Sequence, residues 1–315
     1  MPFKAIPQKF NSAIKEVTIG IGDKALNLGG EQVLPFYSFD DKIKNPPCVG
    51  VEISDLGPNR SIPGIAAFYA GAESLNDVAE RASQVPGAKF VCLVLESADP
   101  NGENKPVEEC VALCKEVAQK IKLPLVVHGC GSFEKDKELL PKVAEALQGQ
   151  NTLLLSAKEE NYKSIAVAAV QAYNQKIGAE SSVDINLAKQ LNVLISQLGI
   201  PPGNSVMNAG CAVAGYGFEY IYSTIERIKG AALAQNDAML QLPIITPLGV
   251  DAWGVKETMV SEADLPEWGP LEERGINMEV STAVAALAAG SNAVTLRHPE
   301  SVATVSKLIE ELVGG

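Results

Sequence analysis

From about residue 48 onward, short runs of β-branched or leucine-rich residues alternate with longer stretches whose apolar positions recur every three and four residues. No other feature limits the fold as much. An apolar run without polar breaks suits a strand buried on both faces, as in a parallel sheet wrapped by helices. The runs are "CVGVEI" (48–53), "KFVCLVLE" (89–96), "LPLVVHG" (123–129), "NTLLLS" (151–156), "ESSVD" (180–184), "NSVMNA" (204–209), "LPIIT" (242–246) and "NAVTLR" (292–297). Between them, "VEECVALCKEVAQKI" and "DINLAKQLNVLISQLG" carry helical spacing, with Asp184 placed to cap the second and Gly199 to end it. "ESVATVSKLIEELVGG" forms a closing helix. Eight strands, each followed by a helix, predict an α/β fold of the (β/α)₈ TIM barrel type rather than an open sheet, which usually has fewer strands.

Two segments exceed what a barrel needs. Residues 1–47 form an N-terminal extension in which "EVTIGIGDKALNLGGEQV" reads as a hairpin laid against a barrel of residues 48–315. Residues 247–274 make a long loop after strand seven and hold both tryptophans, Trp253 and Trp268. Loops of that length tend to be functional.

Charge narrows the partners. The 38 acidic against 26 basic residues give a formal net charge of −12, a surface that repels phosphate backbones and argues against nucleic acid. No apolar run approaches a membrane span and "MPFKAIPQKF" has no secretion-signal centre, so a soluble, cytoplasmic protein is expected. The six cysteines form no CxxC and no quartet; Cys110 and Cys114, one helical turn apart, read as small hydrophobes on a buried stripe. With two histidines, His128 and His298, the chain has little means of holding a metal alone.

Barrel chemistry sits where strands end. Those positions hold Glu52, Asp55, Glu96, Asp99, His128, Ser156, Asp184, Asn208, Thr246, Arg297 and His298, several of which suit acid–base work if they converge. Asp99 before a proline and Asp184 at a helix start have structural readings, as do Arg297 and His298 before Pro299. No lysine ends a strand, which disfavours Schiff-base chemistry. "GCGSF" at Gly129 offers either backbone amides for an anion or only a tight turn. In "AGYGFEYIYSTIERI", Phe218, Ile221, Tyr222, Ile225 and Ile228 share one helical face and belong to the core. Tyr220 falls off that stripe, and Tyr216, between Gly215 and Gly217, is expected to face the mouth.

"VVHGCGSFEKDKELL", "ENYKSIAVAA", "DINLAKQLNVLI", "GYGFEYIYSTIERI", "EERGINMEVSTAVAALAAG" and "LRHPESVA", in that order from about residue 88, resemble the small subunit of the corrinoid/iron–sulfur protein, whose archaeal counterpart is the delta subunit of acetyl-CoA decarbonylase/synthase. "LPFYSFD" (34–40) adds to the resemblance, while residues 48–87 match weakly. The family usually has Asp-Pro after strand six where this chain has Asn208-Ala209, so a polar role there is not carried over. The resemblance implies a barrel paired with a large subunit that carries the [4Fe–4S] cluster and a mobile cobalamin domain. Methyl groups would pass from methyltetrahydrofolate, through a methyltransferase, to the corrinoid and on to acetyl-CoA synthase. This chain would have no turnover of its own and would shelter the cobalamin, with His128, Asn208, Gly215, Tyr216, Gly217 and Thr246 as corrin-facing candidates and Trp253 and Trp268 as partner anchors. The alternative is a self-sufficient pterin-dependent methyltransferase gripping its pterin through Glu96, Asp184 and Asn208.

Overall fold

The computed structural model describes residues 6–314. Strands β1 (Val17–Ile19) and β2 (Leu26–Leu28) pair antiparallel, with Val17 opposite Leu28. Eight further strands follow: β3 (Cys48–Ser54), β4 (Ala88–Val94), β5 (Leu125–His128), β6 (Leu153–Ala157), β7 (Lys176–Glu180), β8 (Ser205–Asn208), β9 (Ile245–Pro247) and β10 (Ala293–Leu296). They form one parallel sheet in the order β8-β7-β6-β5-β4-β3-β10-β9. Across the remaining gap Met207 pairs in parallel with Ile244, and the Met207 amide donates to the Pro243 carbonyl at 2.8 Å. The sheet thus nearly closes into the expected (β/α)₈ barrel.

Alternation along each strand sorts the core into two layers. Val49, Val51 and Ile53 point outward to meet Ile65, Val78 and Val302 of the surrounding helices. Cys48, Phe90, Cys92, Val126, Leu153, Leu155, Val206, Ile245 and Ala293 point inward and fill the barrel together with Val17, Ile19 and Leu28 of the hairpin. The hairpin therefore plugs the end where strands begin. Asn151, just before β6, holds it there by donating to the carbonyls of Thr18 and Gly20 at 2.9 and 3.0 Å.

A buried ion pair closes the same pole. The Lys229 ammonium donates to Glu31 at 2.6 Å and to the Asn292 side-chain carbonyl at 2.8 Å, and the Asn292 amide donates to the same Glu31 oxygen at 2.8 Å. Burial opposes ionisation of Glu31, but Lys229 and Asn292 outweigh it and hold the carboxyl below its usual range.

The fifth barrel strand departs from the sequence expectation. It runs over Lys176–Glu180, not over "ESSVD" at 180–184. Within "KIGAE", glycine is required at 178 because the Leu155 side chain of the neighbouring strand lies where a Cβ would stand. Asp184 instead caps the helix Ile185–Gln197, accepting from the amides of Asn186 and Leu187. Cys110 and Cys114 are fully buried, as expected of their stripe. No described helix is long and apolar enough to cross a membrane.

Candidate functional site at the barrel mouth

Toward the strand ends, the inward positions change from apolar to polar. Above Phe90, Cys92 and Val94 comes Glu96; above Cys48 come Glu52 and Ser54; above Val126 comes His128. The inner face at β10 continues from Ala293 through Thr295 to Arg297. These groups converge on one cluster. Arg297 donates through Nε to Glu52 at 2.7 Å and through Nη2 to Glu96 at 2.5 Å. Thr295 donates to the second Glu52 oxygen at 2.7 Å, and Ser54 to the second Glu96 oxygen at 2.5 Å. Burial works against the charge on Glu96, but the guanidinium and the Ser54 hydroxyl prevail and keep its carboxyl below the usual range. Arg297, one of the strand-end candidates and readable also as a satisfied turn residue, is the hub of the mouth.

A cavity of about 330 Å³ opens beside this cluster, beneath the loop that follows β3. Its polar end is Glu52, Ser54, Glu96 and Arg297; its walls include Ile62, Ile65, Val78 and Trp253. A second hollow, of about 470 Å³, lies between the loops after β6, β7 and β8, where Lys158 pairs with Glu180 at 3.0 Å beside Cys211 and Asp251. Burial, with the charge of Glu52, raises the Asp251 carboxyl above its ordinary value.

At two helix starts of the mouth the backbone amides are taken by carboxylates of the chain itself. The Asp136 carboxylate accepts from the amides of Cys130 and Gly131 at 2.9 and 3.0 Å, so "GCGSF" is a turn already filled by its own chain. Glu279 does the same before the helix Pro299–Val313, accepting from the amides of Arg297 and His298 at 2.6 and 3.2 Å. Its complete burial pushes the carboxyl up to about 7, even though those amides pull it down. His298 caps that helix by accepting from the Glu300 amide at 3.2 Å and meets Glu272 at 3.0 Å.

The long segment after β9 is a folded cover. Short helical turns at Gly249–Ala252, Lys256–Met259 and Pro266–Trp268 lead into the helix Leu271–Ala289. Arg274 ties it together by donating to the carbonyls of Glu257 and Val260, both at 2.7 Å. Trp253 turns inward, stacked 6.1 Å from the His298 ring and pressed against Gly275, where any Cβ would collide with the indole. Trp268 stays 36% exposed with Lys256 and Arg274 over its ring at 5.4 and 5.7 Å.

The other candidates are spread through the mouth. Tyr216 is 46% exposed on the turn between Gly215 and Gly217, and donates its hydroxyl to Glu257 at 2.6 Å. Both glycines are in the left-handed region, with φ 86° and 88°. His128 is half-buried on the inner face, its Nδ1 without a partner. Asn208 is buried, reaching Ser156 at 3.4 Å while accepting from the Gly210 amide at 3.0 Å. Thr246 does not reach the mouth: it alternates with inward-facing Ile245 and bonds Ser291 at 2.6 Å behind the barrel wall. Among the described residues, no three His, Cys, Asp or Glu side chains gather as a metal site would require.

Glu279, Ser54 and the Lys158–Glu180 pair escaped the sequence reading. A glutamate in the apolar face of "GINMEVSTAVAALAAG" was a usable signal for the first, since a carboxylate there needs buried donors. The others depend on which strands become neighbours.

A family model described as CO dehydrogenase/acetyl-CoA synthase delta subunit matches residues 16–289, taking in the 48–87 stretch that the motif resemblance had left weak. Acetyl-CoA decarbonylase/synthase complex subunit delta 2 of Methanosarcina acetivorans is 31% identical over 329 residues, covering 98% of this chain and 74% of that protein. The subunit delta of Archaeoglobus fulgidus is 30% identical, covering 99% and 71%. Among solved structures, Yersinia pestis dihydropteroate synthase with a pterine-sulfa conjugate is similar at TM-score 0.58 and 13% identity, over 96% of this chain and 100% of that one. The Xanthomonas albilineans dihydropteroate synthase gives TM-score 0.54 at 13% identity, over 95% and 98%. At that identity the likeness concerns the fold alone.

Proposed function

The chain belongs to the CO dehydrogenase/acetyl-CoA synthase delta-subunit family, and from that premise we propose that it is the small, cytoplasmic subunit of a heterodimeric corrinoid/iron–sulfur methyl carrier of the reductive acetyl-CoA pathway. Its companion carries the cobalamin domain and the [4Fe–4S] cluster. This chain supplies the barrel mouth against which the corrin rests and has no turnover of its own. When bound, the corrinoid supplies the chemistry of accepting a methyl group from methyltetrahydrofolate, through a methyltransferase, and yielding it to acetyl-CoA synthase.

One observation carries this reading. Most of the large hydrophobic side chains exposed on the described chain stand on loops and helix starts at the strand ends: Leu56, Phe133, Val183, Tyr216, Tyr220, Val250, Met259 and Trp268. An apolar rim around a polar, largely self-satisfied interior suits a wide, flat macrocycle with polar arms better than a small charged substrate. The rim residues would bind the companion and exclude water, and the interior groups would orient the macrocycle. Tyr216, held by Glu257, and Trp268, under two cations, are the rim's fixed aromatic points.

The test is purification of the chain alone and with its large subunit. The lone chain should be colourless and inactive in methyl transfer, and the pair should form a stable complex. A red or brown chromophore, or turnover, in the lone chain would overturn the reading in favour of the methyltransferase alternative. The geometry gives that alternative little, since Asp184 is engaged by its helix and Asn208 by Ser156 and Gly210. Calorimetry with methyltetrahydrofolate measures it directly, micromolar binding by the lone chain favouring the enzyme.

A further inference from the structure

From the cavity beside Arg297 we infer that the mouth contains a recognition site for a primary carboxamide borne on an apolar arm. The inference rests on the corrin reading above and makes it specific. The cavity of about 330 Å³ falls within the range of small-ligand pockets and is two-ended. At one end Glu52 and Glu96 face Arg297, a local balance of two negative charges against one positive. At the other, Ile62, Ile65, Val78 and Trp253 form an apolar sleeve.

The hydrogen-bond inventory selects the ligand. Each of the four carboxylate oxygens already receives one hydrogen bond, from Arg297, Thr295 or Ser54, and has a lone pair left for a second. Arg297 uses Nε and Nη2; among the described residues its Nη1 has no partner. The site therefore offers both acceptors and donors at once. A carboxylate ligand would meet two like charges, and an ammonium would find no use for the Nη1 donors. A primary amide is neutral, donates N–H to a glutamate and accepts from the guanidinium through its carbonyl, at a far lower desolvation cost than an ion.

The acetamide and propionamide arms at the edge of a corrin carry this group in the right setting, and the cyclic amide of a free pterin ring is the competing occupant, since it presents a similar pair of donor and acceptor. The experiment titrates the full chain with excess dicyanocobinamide, whose arms are amides, with dicyano heptamethyl cobyrinate, whose arms are methyl esters, and with 6-methylpterin. Binding is read from the corrin absorbance and from quenching of tryptophan fluorescence. Cobinamide should bind about tenfold or more tightly than the ester, as expected for losing a hydrogen bond to a charged group. Ile65→Trp, which fills the sleeve, and Glu96→Gln should weaken cobinamide by a similar factor. The ester comparison needs no mutation, so misfolding of a variant does not blunt the test. Binding of 6-methylpterin that both variants weaken, with cobinamide indifferent to them, assigns the same amide site to a heterocycle. Cobinamide binding that ignores the ester exchange and both variants, with no such pterin binding, overturns the inference while leaving the corrin reading standing. If no probe binds, the carboxamide site is overturned, and the corrin reading is decided separately by assembly with the large subunit.

Discussion

The two poles of this barrel hold buried charge in opposite ways. At the pole where strands begin, Lys229, Glu31 and Asn292 form a small set enclosed behind an apolar hairpin plug, in which one Glu31 oxygen takes both bonds and the other is buried without a partner. At the mouth, Glu52, Glu96 and Arg297 form a set of the same kind that borders open space and retains unused hydrogen-bonding capacity. The enclosed set fixes structure, because the bonds it makes tie remote parts of the same chain together and it is shut off from open space. The open set is suited to recognition, because its own partners hold it in place while leaving positions for a visitor.

The largest effect should come from breaking the enclosed set. Lys229→Met leaves Glu31 buried without its counter-charge and should destabilise the chain by about 3–5 kcal/mol in urea unfolding. A loss below about 1 kcal/mol would mean that this pole is wetter than its packing indicates.

Next comes the pH response, which should differ in sign between the poles. The Glu279 carboxyl near the mouth is raised from 4.5 to about 7, chiefly by burial. Its contribution is complete below pH 4.5 and disappears as pH rises toward 7, an effect on the order of 3 kcal/mol at most. Glu31 is held below 4.5, so its contribution is present above that pH and disappears on acidification. Thermal melts from pH 4 to 8 should show the alkaline-side decline in the wild type and a flatter profile in Glu279→Gln; an unchanged slope would remove Glu279 from the account.

A smaller effect belongs to the rim. Trp268→Ala should weaken assembly with the large subunit by about 2 kcal/mol in a binding titration while leaving the chain's own melting temperature nearly unchanged. Unaltered assembly would make the segment after β9 a cover that packs only on itself. The smallest is Asp184→Ala, expected to cost about 1 kcal/mol of stability as a lost helix cap. If it instead abolished ligand binding with stability intact, the residue would belong to the site after all.

How much was legible follows from the kind of information each feature needed. The barrel was readable because its strands are apolar on both faces and its helices are periodic, and both patterns lie within short windows. The fifth strand was misplaced because the glycine that interrupts "KIGAE" is explained only by Leu155 on another strand, while Asp184 of "ESSVD" serves as a helix cap. Glu52, Glu96 and Arg297 could be named as strand-end residues, yet their pairing joins positions over two hundred residues apart. Thr246 was assigned to the mouth because the pleat that turns it outward is set by register. Trp253 and Trp268 looked equivalent in one long loop; Gly275, far along the chain from neither, admits one indole and leaves the other at the surface.

By itself the amino-acid order determined what local forces govern: the alternation of strand and helix, the caps, the buried cysteine stripe and the excess of negative charge. Closure of the sheet decided the rest. Side chains from strands remote in sequence meet only when the first and last strands become neighbours, and the low-dielectric interior then makes a guanidinium and two carboxylates a single unit. Which of its hydrogen-bonding positions are left over depends on that meeting, and no window of sequence contains it.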